Sequence, residues 1–211
     1  MGFTAARENM VESQIRTNDV TDPRLQAAMR SAARERFCAG GEGELAYAER
    51  EPVIAEERRL MKPRDVAKLL MAAEPRPGER ALVICEPYAA AVLARVGCEV
   101  VAIDTPAAVG VVGAALREEG AEAISAEPAA ALAVADGDWD LLVVGGASAA
   151  VPAGWLEALR EGGRAVMVLR DGAVGRATLF VRNEHGVSGR GVFECTPPYL
   201  PGLEPQPTFV F

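Results

Sequence analysis

Residues 79–104, ERALVICEPYAAAVLARVGCEVVAID, have the pattern of a strand, a tight turn, a helix and a second strand. Residues 80–85 form a short apolar run, residues 88–96 are rich in Ala and Leu with helical spacing, and residues 99–103 are mostly β-branched. This order predicts a βαβ unit of a doubly wound sheet. In such sheets the turn after the first strand holds a nucleotide-like ligand, and an acid that ends the second strand binds the ribose hydroxyls. Asp104 has the position of that acid.

The turn of this unit, Cys85-Glu86-Pro87, lacks the glycines that let a backbone approach a ligand closely. Pro87 also lacks an N–H donor. A carboxylate at this point would lie against unpaired N–H groups and the positive end of the following helix. We therefore interpret Glu86 as a structural residue that replaces a bound anion, with a catalytic carboxylate as the alternative.

Composition defines the class of protein. The 211 residues are 50% hydrophobic and 25% charged, which is typical of a globular domain with a large core and an appended segment. No apolar run is long enough for a membrane span, and the charged N-terminus does not resemble a signal peptide, so we expect a cytoplasmic protein. The four cysteines lack paired or metal-binding spacing, which favours reduced thiols and predicts no metal site.

The net charge of -8 is spread unevenly along the chain. Residues 1–75 contain 12 basic and 13 acidic side chains, whereas residues 76–211 contain 10 and 17. Nucleic acid is therefore not expected as a partner.

Residues 1–75 are predicted to form a helical extension. Residues 3–15 have amphipathic spacing, Asp22-Pro23 starts a second helix to about residue 33, and Pro63 starts a third, while 45–59 are irregular. Several apolar positions of this segment need burial that they cannot find among themselves, so we expect the extension to pack on the rest of the chain. These positions are Phe3, Val11, Leu25, Phe37 and Leu69.

Residues 76–211 are predicted to form the α/β domain. After the opening unit we expect helices at 105–119, from Pro128 and at 152–159, strands at 122–125, 139–144 and 164–169, and a hairpin of 177–181 with 186–193; 207–211 could add an edge strand or tail. The runs 80–85 and 139–144 are apolar enough to be adjacent central strands. Five strands alternating with helices and closed by a hairpin predict the methyltransferase variant of the doubly wound fold, whose last strand inserts antiparallel.

Several segments together resemble the protein-L-isoaspartate O-methyltransferase family, and especially a bacterial branch of it. They are NMVESQIRTNDVTDPRLQAAM, RERF, AYAER, WDLLVVGGA, LREGGRAVMVL and PPYLPGLEPQPTFVF. The resemblance implies a Rossmann-like fold that binds S-adenosylmethionine, with a mostly parallel seven-stranded sheet, a C-terminal antiparallel hairpin and an N-terminal helical extension. It also implies methylation of isoaspartyl carboxylates in a protein or peptide.

By this resemblance, the cofactor-binding positions are Cys85, Glu86, Asp104, Glu127 and Gly145. The family's first motif, of the kind DVGCGTGY, corresponds here to the shorter, glycine-free VICEPY. Relatives have a pattern like QTISQP next to the acceptor carboxylate, and the corresponding residues 58–63 of this chain include Met61. After the fourth strand, Gly145-Gly146 replaces the family's usual Asp-Gly. Glu127 has the position to meet an adenine amino group. For both Asp104 and Glu127, a solvated residue at the end of a strand is the alternative.

These departures predict weak cofactor binding and weak or lost methyl transfer, so no catalytic residue is assigned. The alternatives are an enzyme that binds the cofactor in an altered pose, a non-catalytic protein that acts through protein contacts, and a binder of another nucleotide-like ligand. The basic residues Arg58, Arg59, Lys62 and Arg64 lie beside Glu56 and Glu57, which favours a solvated face of mixed charge.

Overall fold

A seven-stranded sheet forms the centre of the computed structural model, which describes residues 2–135 and 137–206. The sheet contains β3 (Arg80–Ile84), β4 (Glu99–Asp104), β5 (Glu122–Ser125), β6 (Trp139–Ser148), β7 (Leu159–Asp171), β8 (Val174–Asn183) and β9 (Gly186–Glu194). Their order is β5-β4-β3-β6-β7-β8-β9, and β3 to β7 are parallel to one another. A separate antiparallel pair consists of β1 (Val53–Ala55) and β2 (Arg58–Arg59). The predicted α/β fold is confirmed.

The two apolar runs singled out in the sequence are adjacent strands in the middle of the sheet. β3 pairs in parallel with β6, with Leu82 opposite Leu142, and all ten residues of β6 are buried. A strand covered by helices on both faces has no solvent side, so its sequence needs no polar alternation. This prediction is confirmed.

Proline begins four of the five α-helices. These helices are α1 (Phe3–Met10), α2 (Pro23–Ser31), α3 (Pro63–Ala73), α4 (Pro87–Val96) and α5 (Pro106–Glu118), and α1 continues as a π-helical turn over Val11–Ile15. Proline suits the first helical position because its missing N–H would have no partner there. Asp22 accepts from Arg24 N at 2.8 Å, and Thr105 accepts from Ala108 N at 3.3 Å, so both predicted caps are present. No helix in the described ranges has the length and apolarity that a bilayer crossing requires.

Two sequence predictions about the second half of the chain are wrong. Residues 153–158 form turns instead of the helix predicted at 152–159, since Gly154 has a φ of +83°, and the chain enters β7 at Leu159. The last strand does not insert: β9 lies at the sheet edge beside β8. Only two residues separate Asp171 from Val174, which pair with each other, so β8 must lie against β7 and the outer edge is left for β9. Residues 207–211 lie outside the described residues.

The N-terminal helices share one apolar cluster with the sheet. Val11, Leu25, Phe37 and Leu69 are buried, as expected, whereas Phe3 is 44% exposed. Phe3 opens α1 and meets only the edge of the cluster, with its ring 6.3 Å from that of Tyr47.

Contacts with α4 fix the extension on the domain. The Phe37 ring lies 6.4 Å from the ring of buried Tyr88, whose hydroxyl donates to Met29 O at 3.4 Å. We therefore propose that residues 1–75 and 76–211 unfold together as one cooperative unit.

Replacing Phe37 by Ala should lower the free energy of unfolding by about 3–5 kcal/mol, because it leaves a cavity between the extension and α4. The matched control, Phe3→Ala, should change it by less than about 0.5 kcal/mol, because that side chain is largely solvated. Urea unfolding followed by fluorescence and circular dichroism measures both, and the two signals should give one coincident transition. Two separate transitions, or rapid proteolytic loss of residues 1–75 from a stable remainder, would contradict the proposal.

Candidate functional site

The carboxyl ends of the parallel strands bring most of the predicted site residues together. Cys85 and Glu86 form the turn after β3, Asp104 ends β4, and Gly145 lies in β6. Cys85 N donates to Ile103 O at 2.8 Å, which holds the turn against β4. Glu127 instead lies on the exposed rim, before a short 3-10 helix.

Cys85 has a backbone conformation that favours glycine. Its φ is +63°, in the left-handed region, which costs a side-chain-bearing residue roughly 1–2 kcal/mol. The side chain is fully buried, and burial raises the pKa of the thiol well above its ordinary value. The turn thus has, at Cys85, a backbone conformation that glycine would adopt without strain, although it contains no glycine.

Gly145 allows β6 to pass directly beneath this turn. A Cβ on Gly145 would lie 2.7 Å from Cys85 O and nearer still to the Glu86 Cβ. No L side chain fits there while the turn keeps this path. The path of the Cys85–Pro87 turn therefore requires glycine at position 145.

Glu86 does not cap the helix that it precedes, so the interpretation based on the helix dipole is wrong in this detail. Its side chain makes no capping hydrogen bond to α4 and instead accepts from Met61 N at 2.9 Å. Burial raises the pKa of Glu86 to about 7, and Arg34, the Met61 N–H and Arg58 offset part of that effect. Glu86 Oε1 has no hydrogen-bond partner within the described part of the chain.

The peptide groups of Met61 join Glu86 to a buried arginine. Arg34 donates through Nη2 to Met61 O and through Nε to Ala46 O, and its guanidinium lies 4.7 Å from the centre of the Tyr88 ring. The Met61 side chain itself is 2% exposed and belongs to the apolar core. Met61 thus presents neither a side-chain donor nor a free backbone group to a ligand.

Asp104 forms a buried ion pair with Arg58. Arg58 Nε lies 2.7 Å from Asp104 Oδ1, and Arg58 Nη2 lies 3.1 Å from Asp104 Oδ2. The same Nη2 donates to Cys85 O, and Thr105 N donates to Asp104 Oδ1 at 2.9 Å. The two side chains are 5% and 4% exposed, so this bidentate pair is shielded from solvent.

A cleft of about 530 Å³ lies outside this ion pair. Arg58 and Thr105 form its floor, and three glutamates are on its walls: Glu56, Glu57 and Glu127. Its volume is in the range of about 300–1,000 Å³ that small-ligand sites have. Glu127 therefore lines the same cleft as Arg58.

Arg58 is buried at the site, although its sequence context predicted a solvated face of mixed charge. β2 contains only Arg58 and Arg59, and successive strand residues point to opposite sides, so Arg58 is buried and Arg59 exposed. The burial of Arg58 could have been predicted only from the hairpin of β1 and β2. Residues 45–59 were instead predicted to be irregular. Arg34 was missed because nothing in a single sequence distinguishes a buried arginine from a surface one.

The residues at the β3 turn do not fit the methionine half of S-adenosylmethionine. At this turn the Glu86 side chain is buried and accepts a hydrogen bond from Met61 N across the site. Pro87 provides no N–H for the cofactor carboxylate, and Glu86 places a second acid in its path. No step of a reaction is therefore assigned to the cofactor in this site.

The sheet has the Rossmann-like fold of S-adenosylmethionine-dependent methyltransferases. Two solved structures share it: the Plasmodium falciparum beta-aspartate methyltransferase (PCMT), in complex with S-adenosyl-L-homocysteine, and another protein-L-isoaspartate O-methyltransferase. The first has a TM-score of 0.76 at 14% identity over 95% of this chain and 98% of that one. The second has a TM-score of 0.77 at 20% identity over 92% and 65%.

Sequence comparison identifies the family. Residues 5–196 match the family model Protein-L-isoaspartate(D-aspartate) O-methyltransferase (PCMT). A protein-L-isoaspartate O-methyltransferase of Methylorubrum populi is 33% identical over 86% of this chain and 87% of its own length. Protein-L-isoaspartate O-methyltransferase 1 of Rhodopseudomonas palustris is 34% identical over 78% and 69%. The chain belongs to the protein-L-isoaspartate O-methyltransferase family, as the resemblance implied.

Replacing Glu86 by Gln should stabilise the protein at pH 8 but not at pH 5. With a native pKa of about 7 against 4.5 as the ordinary value, the native state binds more protons than the unfolded state between these pH values. The free energy of unfolding of the wild type therefore falls as the pH rises through this window, by on the order of 1–3 kcal/mol. Gln imitates the protonated carboxyl group and has no such loss.

Urea unfolding of both proteins at pH 5, 6, 7 and 8 measures this difference. The control, Glu127→Gln, should change the free energy of unfolding by less than about 0.5 kcal/mol, because that side chain is exposed. A Glu86→Gln protein that is less stable than the wild type at pH 8 would show that the carboxylate is the preferred form in the native state.

Proposed function

We propose that this chain is a family member that does not hold S-adenosylmethionine in the family's pose, and that its methyl transfer is weak or lost. The observation that carries the proposal is the hydrogen bond from Met61 N to Glu86, at 2.9 Å and buried, across the methionine half of the site. A cofactor in the family's pose would have to break this bond and displace the Glu86 side chain.

The electrostatic cost supports the same conclusion. Two carboxylates about 4 Å apart repel each other by roughly 1–4 kcal/mol, depending on their exposure. Because each ~1.4 kcal/mol is a factor of ten, a loss of this size takes a micromolar ligand towards roughly the millimolar range. Keeping Glu86 protonated removes the repulsion but leaves its side chain in the way.

The acceptor half of the site is also closed. The space between residues 57–61, Gly146 and residues 197–198 is about 10 Å³, which is room for no more than one water molecule. Methyl transfer requires the acceptor carboxylate to be held in line with the donor. Met61, buried and with both backbone groups engaged, has nothing with which to hold it.

If methyl transfer persists, its acceptor is an isoaspartyl residue of a protein or peptide, as the family name states. Four buried free thiols support the reducing, cytoplasmic location that the sequence predicts. The alternative function, a non-catalytic protein that acts through protein contacts, has the support of the same closed site.

The wild-type protein should bind S-adenosylmethionine and S-adenosylhomocysteine with a dissociation constant of about millimolar or weaker. Glu86 repels the carboxylate of either ligand, and its side chain would have to be displaced. Replacing Cys85-Glu86-Pro87 by the longer turn GCGTG should tighten binding by about tenfold or more, because it restores backbone room and N–H donors and removes the carboxylate. Isothermal titration calorimetry measures both proteins. The matched control is a turn of equal length without glycine, ACATA, which should not gain affinity.

Methyl incorporation into an isoaspartyl peptide should stay poor in every one of these proteins, because the acceptor half is unchanged. Micromolar binding by the wild type, or clear turnover of the peptide by the wild type, would refute the proposed function. Equal gains from GCGTG and ACATA would show that turn length matters and glycine does not.

A further inference from the structure

Both carboxylate oxygens of the buried Asp104 already accept hydrogen bonds from within the protein. Oδ1 accepts from Arg58 Nε at 2.7 Å and from Thr105 N at 2.9 Å, and Oδ2 accepts from Arg58 Nη2 at 3.1 Å. In doubly wound sheets, the acid in this position binds the ribose hydroxyls of a nucleotide. Here the guanidinium N–H groups of Arg58 donate to that carboxylate instead.

Arg58 reaches Asp104 from outside the main sheet. It lies on β2, which among the described residues pairs with β1 alone, in a small hairpin. At the bend of this hairpin Glu56 and Glu57 are exposed, and Glu56 has a φ of +47°. The guanidinium thus enters the carboxyl edge of the sheet from a short surface element, while the adjacent Arg59 side chain stays in solvent.

We propose that Arg58 is an internal occupant of a ribose-binding position, and that it closes a site for ribonucleosides. Two vicinal hydroxyls donate two hydrogen bonds to one carboxylate, and Arg58 supplies the same donors from Nε and Nη2. The neighbouring cleft of about 530 Å³, with Glu127 on its wall, has room for the base. The class of ligand that Arg58 excludes is therefore a nucleoside with free 2′ and 3′ hydroxyls.

This inference rests on the proposed function only in taking Asp104 as the ribose end of the family's site. The methionine half and the Cys85–Pro87 turn play no part in it. A probe without methionine therefore separates the two proposals. Adenosine is such a probe, and 2′,3′-dideoxyadenosine, which lacks both hydroxyls, is its matched control.

The experiment titrates both nucleosides into the full-length wild type and three variants by calorimetry. Arg58→Ala removes the occupant. Arg58→Ala with Asp104→Asn removes it without leaving a buried carboxylate unpaired, so this second variant can fold if the first cannot. Arg59→Ala removes the adjacent, exposed arginine as the control.

Arg58→Ala should bind adenosine at least about tenfold more tightly than the wild type does, and tenfold more tightly than it binds the dideoxynucleoside. The double variant should show a smaller gain with the same preference, because an amide oxygen still accepts from a hydroxyl. The wild type and Arg59→Ala should not distinguish the two nucleosides.

Two results would overturn the proposal. One is a wild type that prefers adenosine to dideoxyadenosine by about tenfold, since its Asp104 would then be accessible to a ribose. The other is a folded variant at position 58 that gains no preference for adenosine. Micromolar binding of S-adenosylmethionine by the wild type, by contrast, refutes the proposed function.

Discussion

Two guanidinium groups and two carboxyl groups are buried together where the N-terminal segment meets the carboxyl edge of the sheet. Arg34 and Arg58 come from the segment, and Glu86 and Asp104 come from the sheet. A buried charge without compensation costs several kcal/mol, so each group depends on the others. The packing of the N-terminal segment and the closure of the candidate site are therefore one arrangement, because the same side chains accomplish both.

The departures from the family's pattern also depend on one another. Glu86 and Cys85 take their positions because Gly145 has no Cβ to obstruct them. Asp104 tolerates its burial because Arg58 neutralises it, and Arg58 in turn bonds to the carbonyl of Cys85. Differences from the family's pattern that are separate in the sequence therefore contact one another in the folded protein. Restoring one of them alone, such as Asp at 145, would produce a clash.

The sequence predicted elements whose signals are local. The apolar runs of β3 and β6 and the proline starts of α2 and α3 each lie within a few residues, and the structure confirms them. The predictions failed where the position of a strand or side chain depends on residues elsewhere in the sequence. The edge position of β9 follows from the short turn at 172–173, which precedes β8, and the partner of Glu86 is 25 residues away at Met61. Burial of Arg58 depends on Asp104, 46 residues further on.

On the proposed function, stability and ligand binding compete for the same groups. A bound nucleotide supplies hydroxyl donors to the acid of the second strand and an anion near the first turn. Here Arg58 donates to Asp104, and the Glu86 side chain lies at the first turn bonded to Met61 N, so both acids have partners inside the protein. Any ligand must first bind to the fraction of molecules in which these contacts are open. If that fraction is about 1%, the apparent dissociation constant rises about a hundredfold, whatever contacts the ligand then makes.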